Sequence, residues 1–140
     1  MRDGLSKSKK HYWLYVLLLE ENKYYIGITS RYEPEDRIQE HFNGFYSAQW
    51  VKKYKPKKLV EVLDAGYMTD AETDDKELKL TLEYMKKFGH QNVRGGILNY
   101  SGKYYKFGRR YVRDEEFYTM STVLLLMAAV AALLIDKYNK

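Results

Sequence analysis

The chain has no cysteine in its 140 residues. That excludes a disulfide framework and any zinc site built on thiolates. Histidine is scarce too. His11, His41 and His90 have no partner at metal-ligand spacing, so a histidine metal centre is unsupported. Only two prolines occur: Pro34 opens a helical pattern and Pro56 stops one. The opening MRDGLSKSKK lacks the apolar stretch of a secretory signal and reads as a flexible basic arm over residues 1–10. No internal repeat or low-complexity stretch appears in the body of the chain. The expected setting is intracellular.

What is abundant is tyrosine, fifteen against five phenylalanines. A tyrosine brings a polar tip that must reach water, a ligand or a partner. The net charge of +5 is spread unevenly, with twelve Lys/Arg against seven Asp/Glu in residues 1–60 and near balance over 61–119. A basic, tyrosine-rich half suits a polyanion such as nucleic acid. On charge alone, a lysine-rich solvated surface is the commoner account. The length allows one domain with one core.

The run YWLYVLLL, Tyr12 to Leu19, is continuously apolar and too short for a free-standing helix, so it reads as a strand buried on both faces. EENK then makes a hairpin loop, and YYIGI returns as a second strand. In PEDRIQEHFNG, Pro34 and its acidic neighbours suit a helix start and Gly44 its end. Ile38 and Phe42 form its expected buried stripe, with Arg37 and His41 on an adjoining face. SAQWVKKY reads as a short helix and KKLVEVLDA as a third strand. Thr69 to Glu72 has capping-box spacing and starts a helix running to Phe88, closed by Gly89. Its expected core stripe is Leu78, Leu82 and Met85, with Glu77, Thr81, Tyr84 and Phe88 one stripe round. Glu77 borders the face that should meet the sheet. NVRGG reads as a turn or close-approach site. KYYKFGRRYVR, within a basic and aromatic extension over 101–116, suits a nucleic-acid strand or an ordinary amphipathic one.

Val123 to Ile135 carries no charge for 13 residues. With the residues from 117 onward it approaches the length of a membrane span, Tyr118 and Tyr138 serving as interfacial anchors. The run is apolar on every side. It is expected to form a helix over 117–136 that acts as a membrane anchor or packs on the core.

The whole is an α+β arrangement with a small central antiparallel sheet of three strands flanked by helices. The spaced set of Tyr15, Tyr25-Ile26-Gly27 with Thr29, Arg37-x-x-x-His41 and NVRGG resembles the GIY-YIG endonuclease superfamily over residues 12–96. The last motif is similar to a subgroup found in large viruses and phage. The first motif departs from the family, reading Trp13-Leu14-Tyr15 where Gly-Ile-Tyr is usual. The domain is taken as residues 11–100.

The resemblance implies a metal-dependent endonuclease that hydrolyses phosphodiester bonds in DNA. Tyr15 would be the general base or the hydroxyl that positions the water. Tyr25 and His41 would share its network, and Arg37 would hold the scissile phosphate. Gly27 would leave room for the substrate backbone, with Thr29, Asn43 and Arg94 as further substrate contacts. One carboxylate would bind a single Mg²⁺ or Mn²⁺ ion. Counting back from TLEYM points to Glu77, and counting forward from the third strand points to Asp74 or Asp75. The alternative is an inactive nucleic-acid-binding or interaction module of the same fold.

Overall fold

The computed structural model describes residues 8–139, so residues 1–7 of the expected arm lie outside the described residues. Lys10 is already in a strand. The chain divides into two compact units, one ending at Ser101 and one beginning at Gly102.

In the first unit, β1 (Lys10–Leu19) lies between two antiparallel neighbours, β2 (Tyr24–Thr29) and β3 (Pro56–Met68). A fourth strand, β4 (Val93–Gly95), runs parallel to β2, and the order is β3-β1-β2-β4. The sheet is therefore mixed and four-stranded, where three antiparallel strands were expected. The three residues of β4 are too few to show a period of two, and the glycine pair that begins with its last residue signals a turn. Gly95 is what lets β4 dock: a Cβ there would lie 2.5 Å from Thr81 Oγ1 and 2.8 Å from Ile26 Cβ.

The regular alternation of β1 sends its side chains to two layers. On one face Tyr15, Leu17 and Leu19 pack with Tyr25 of β2, Ile38 of α1 (Pro34–Phe42), and Trp50 and Val51 of α2 (Gln49–Lys53). Burying each such side chain contributes roughly 2 kcal/mol. On the other face lies α3 (Asp70–Phe88), where Tyr12 Oη donates to Asp70 and Phe88 stacks on Tyr24 with ring centres 4.3 Å apart. Thr69 caps α3, its hydroxyl oxygen accepting from the Glu72 amide at 3.3 Å.

Two expected helix stripes are rotated. In α1 the buried residues are Pro34, Ile38 and His41, while Phe42 is 39% exposed. The histidine is buried because both its ring nitrogens find partners, described below. In α3 the buried residues are Thr73, Thr81 and Met85, and Leu82 is exposed. Thr81 tolerates burial by donating its hydroxyl to the Glu77 carbonyl at 2.7 Å. The rotation sets Glu77, one turn before Thr81, on the sheet-facing side.

The second unit is a hairpin of β5 (Tyr104–Phe107) and β6 (Arg110–Arg113) followed by α4 (Asp114–Asn139). Phe117 of α4 packs on Tyr105 and Phe107, with ring centres 4.8 and 5.9 Å apart. Helix α4 is long and apolar enough to cross a membrane, and none of its apolar window is buried.

Candidate active site

Tyr15 sits at the centre of β1, opposite Gly27 of β2. Its ring lies flat across the space a side chain at position 27 would occupy. A Cβ there would be 2.6 Å from Tyr15 Cε2 and closer still to Cζ and Oη. The glycine was expected to clear a path for substrate. It instead clears a slot for the tyrosine ring, and any residue larger than glycine would displace it.

Tyr15 is 1% exposed, and its hydroxyl lies 2.8 Å from Nε2 of His41, itself 1% exposed. The other ring nitrogen, Nδ1, is 3.1 Å from Ser47 Oγ, whose own hydroxyl is directed at the Phe45 carbonyl at 3.5 Å. If Ser47 donates onward, Nδ1–H donates to Ser47, which assigns Nε2 as the acceptor and Tyr15 Oη–H as the donor. Burial first, then the Arg37 charge, push His41 down to about 4, with Glu40 opposing. The imidazole is therefore neutral at pH 7 and able to accept.

Arg37, one turn before His41 on α1, donates through Nη1 to Glu40 Oε2 at 2.8 Å and through Nη2 to the Tyr46 carbonyl at 2.9 Å. A guanidinium has five N–H groups, so donors remain for other ligands. Glu40 also takes Arg31 Nη1 at 2.5 Å and so bridges the two arginines. Burial pushes the Tyr15 hydroxyl well above the usual tyrosine range; Tyr25 and Glu77 add to this and Arg37 opposes it. Burial, then Glu77, push Tyr25 up to about 12, again against Arg37. Tyr15, Tyr25 and His41 thus pack as one group, and the charges of Arg37 and Glu77 act on both tyrosines.

Glu77 reaches this cluster from α3, past the end of β4. Gly96 makes the room: with φ of +55° it turns the chain beside the carboxylate, and a Cβ there would stand 3.4 Å from Glu77 Oε1. Burial, then the Asp74 carboxylate, push Glu77 up to about 7. No ion pair reaches it among the described residues, while Asp75 is exposed and paired with Lys79 at 3.1 Å. Of the three acids weighed from the sequence, Glu77 is the one beside the tyrosines.

The fit to a divalent ion follows from these facts. Among the described residues no group of three or more metal-ligating side chains occurs. An ion here would rest on the Glu77 carboxylate, water and phosphate oxygens, a set that suits Mg²⁺. A carboxylate held up near 7 by burial and a like charge is one that a cation would stabilise.

The remaining expected contacts are dispersed. Thr29 is 8% exposed and its Oγ1 accepts from the Arg31 amide at 3.2 Å. Asn43 caps α1 and borders a cleft of about 420 Å³ with His41, Ser47, Lys52 and Lys55. Arg94, expected to touch substrate, has no exposed surface. Its guanidinium donates to the carbonyls of Tyr100, His90 and Val93, each at 2.7 Å, and lies 4.4 Å from the Trp50 ring centre. So placed it ties β4 and the following loop to the core and leaves no surface for a ligand. The sequence reading missed Glu40, Ser47 and Arg31. Only Glu40 left a signal, its spacing of three from Arg37 on a helix.

The sheet lays Tyr15 over Gly27, with His41 on its hydroxyl and the charges of Arg37 and Glu77 acting on it. The chain belongs to the GIY-YIG family: the model described as the GIY-YIG catalytic domain matches residues 11–91. Membership assigns it nuclease activity in general and a nucleic-acid substrate. No curated protein and no solved structure matches the chain significantly.

Proposed function

We propose that this protein is a metal-dependent endonuclease that hydrolyses phosphodiester bonds in DNA. The observation that carries the reading is the Tyr15–His41 hydrogen bond, set where the charges of Arg37 and Glu77 both act on the tyrosine. Burial disfavours a resting tyrosinate, so Tyr15 works as a relay rather than as a stored base. Its hydroxyl donates to His41, leaving its oxygen lone pairs to accept from a water and hold it for attack. As the water attacks phosphorus, its proton passes to Tyr15 and the tyrosine proton passes to Nε2. Burial and the Arg37 charge disfavour the imidazolium so formed, Glu40 offsets part of that, and it therefore returns its proton readily once the bond is cut.

Arg37 holds the phosphoryl oxygens and the charge that grows on them; its position is fixed by Glu40 and the Tyr46 carbonyl. Tyr25 braces the same pocket wall, its ring centre 6.4 Å from that of Tyr15 and 5.2 Å from that of His41. Glu77 would hold one Mg²⁺ or Mn²⁺ ion, which supplies Lewis-acid stabilisation to the phosphate when bound.

Helix α4 would tether the domain to a membrane, a role supported by its length, its apolar surface all round and the absence of burial in its apolar window. Fractionation with and without residues 117–140 tests this, and a full-length protein soluble without detergent contradicts it. The catalytic reading is tested with supercoiled DNA and Mg²⁺ or Mn²⁺. Wild type should nick, while Arg37→Ala and Glu77→Ala should not. Salt-dependent DNA binding with no metal-dependent nicking would instead identify an inactive binding module.

A further inference from the structure

Beyond the catalytic cluster, the same face of the sheet carries a second cleft of about 500 Å³, lined by His11, Trp13, Ser30, Arg31, Tyr32 and Tyr67. Strand β1 has a period of two, so Trp13 and His11 follow Tyr15 outward on one face. Trp13 is two cross-strand pairs from Tyr15, opposite Thr29 where Tyr15 is opposite Gly27. Along the strand that is about 7 Å, one to two nucleotides of chain.

A bulge assembles the cleft. Tyr12 pairs with Gly66 and Trp13 with Asp64, so Ala65 is an extra residue in β3. Without it Asp64 and Tyr67, three apart, would point to opposite faces. With it both meet His11. The His11 and Tyr67 rings stack with centres 5.1 Å apart at 22°, and His11 Nε2 lies 2.5 Å from Asp64 Oδ1. Asp64 is itself held by the Gly66 amide at 2.9 Å. The Trp13 ring centre is 4.7 Å from that of His11.

Three rings are thus locked in one block while staying open to solvent, Tyr67 being 73% exposed. Tyr32, 94% exposed, is another lining residue, and Arg31 adds a cation whose position Glu40 fixes. Exposed rings held by a bulge and a buttressing carboxylate contribute little to the core. They do present flat π-faces beside a cation, which is what a stacked base requires. A paired duplex hides its base faces, and only an unpaired base can use such a surface.

We propose that this cleft is a stacking subsite for an unpaired nucleobase. It makes DNA with a single-stranded or extruded nucleotide next to the cleaved phosphate the preferred substrate. The proposal rests on the nucleic-acid reading above, and its test is separable from catalysis. The chain has two tryptophans, and Trp50 is 2% exposed, so fluorescence quenching by a base reports on Trp13.

The full chain, in detergent micelles, is titrated with a short oligothymidylate, and its cleavage of a flap duplex is compared with that of the fully paired duplex. Saturable quenching is expected, absent in Trp13→Phe, with affinity about tenfold weaker in Tyr67→Ala. Tyr67 is a surface residue, so that variant keeps its core. The flap substrate should be cut faster, and Tyr67→Ala should remove that preference. Absence of quenching overturns the subsite, as does a loss in Tyr67→Ala that is equal on both substrates. Quenching by a protein that cuts neither DNA supports the subsite and refutes the nuclease reading alone. Cleavage without quenching does the reverse.

Discussion

Replacing Gly27 by alanine separates two accounts of that glycine. The new methyl would sit 2.6 Å from Tyr15 Cε2 and closer to Cζ and Oη, and ordinary contact begins near 3.4 Å, so the ring must move by about 1 Å. Overpacking of this kind costs roughly 1–3 kcal/mol. If the ring swings away, the hydrogen bond to His41 at 2.8 Å is lost as well. A buried Nε2 left without a donor adds about 1–3 kcal/mol. For a domain of this size each kcal/mol lowers Tm by about 4–8 °C, so thermal unfolding should fall by 10 °C or more. A displacement near 1 Å at the reacting hydroxyl should also reduce kcat by about 100-fold. The control is Gly27→Ala in a Tyr15→Ala background. With the ring gone, the second substitution should cost less than about 0.5 kcal/mol. An unchanged Tm with only a raised KM would mean that the glycine clears space for substrate, and the packing argument would be refuted.

Other expectations concern charge and pH. Glu77 is pushed up to about 7, so its folded form favours the proton; without metal, stability should decline as pH rises from about 4.5 to about 7. Glu77→Gln should therefore match wild type near pH 4 and exceed it near pH 8 by up to roughly 3 kcal/mol in urea unfolding, while abolishing nicking. Parity at both pH values would show that the carboxylate carries no burial cost. His41 is pushed down to about 4, so its contribution is present above about 6.5 and lost as pH falls towards 4; His41→Gln should lessen acid sensitivity over that window. Arg94→Leu, at a position with no exposed surface, should destabilise the fold by about 2–4 kcal/mol, because three carbonyls lose their donor; an unchanged melting curve with weakened DNA binding would restore the substrate role expected from the sequence.

The sequence revealed what depends on spacing along one element. Tyr15 and the YIG strand could be read because a hairpin of fixed loop length sets them opposite each other, and α3 because its cap and its closing glycine are local signals. What depends on close approach between distant segments was not legible. Strand β4 is three residues long and docks only because Gly95 has no side chain, so its place in the sheet follows from the neighbours it touches. His41 was read as lying on a face beside the core. It is buried because Tyr15 and Ser47 satisfy it, and Ser47 lies past the end of the helix in a loop with no periodic signal. The ring beside Gly27 was hidden for the same cause: the space the glycine leaves is filled from the next strand.

The central claim is that a buried Tyr15–His41 pair moves the proton of the attacking water. Single-turnover cleavage of supercoiled DNA by Tyr15→Phe, alongside its melting curve, tests this most directly. Phenylalanine keeps the ring over Gly27 and removes only the hydroxyl, so the fold should lose no more than about 1–3 kcal/mol, the cost of a buried His41 Nε2 left without its donor. Cleavage should drop by about 100-fold or more. A folded Tyr15→Phe protein that cuts at the wild-type rate would contradict the account.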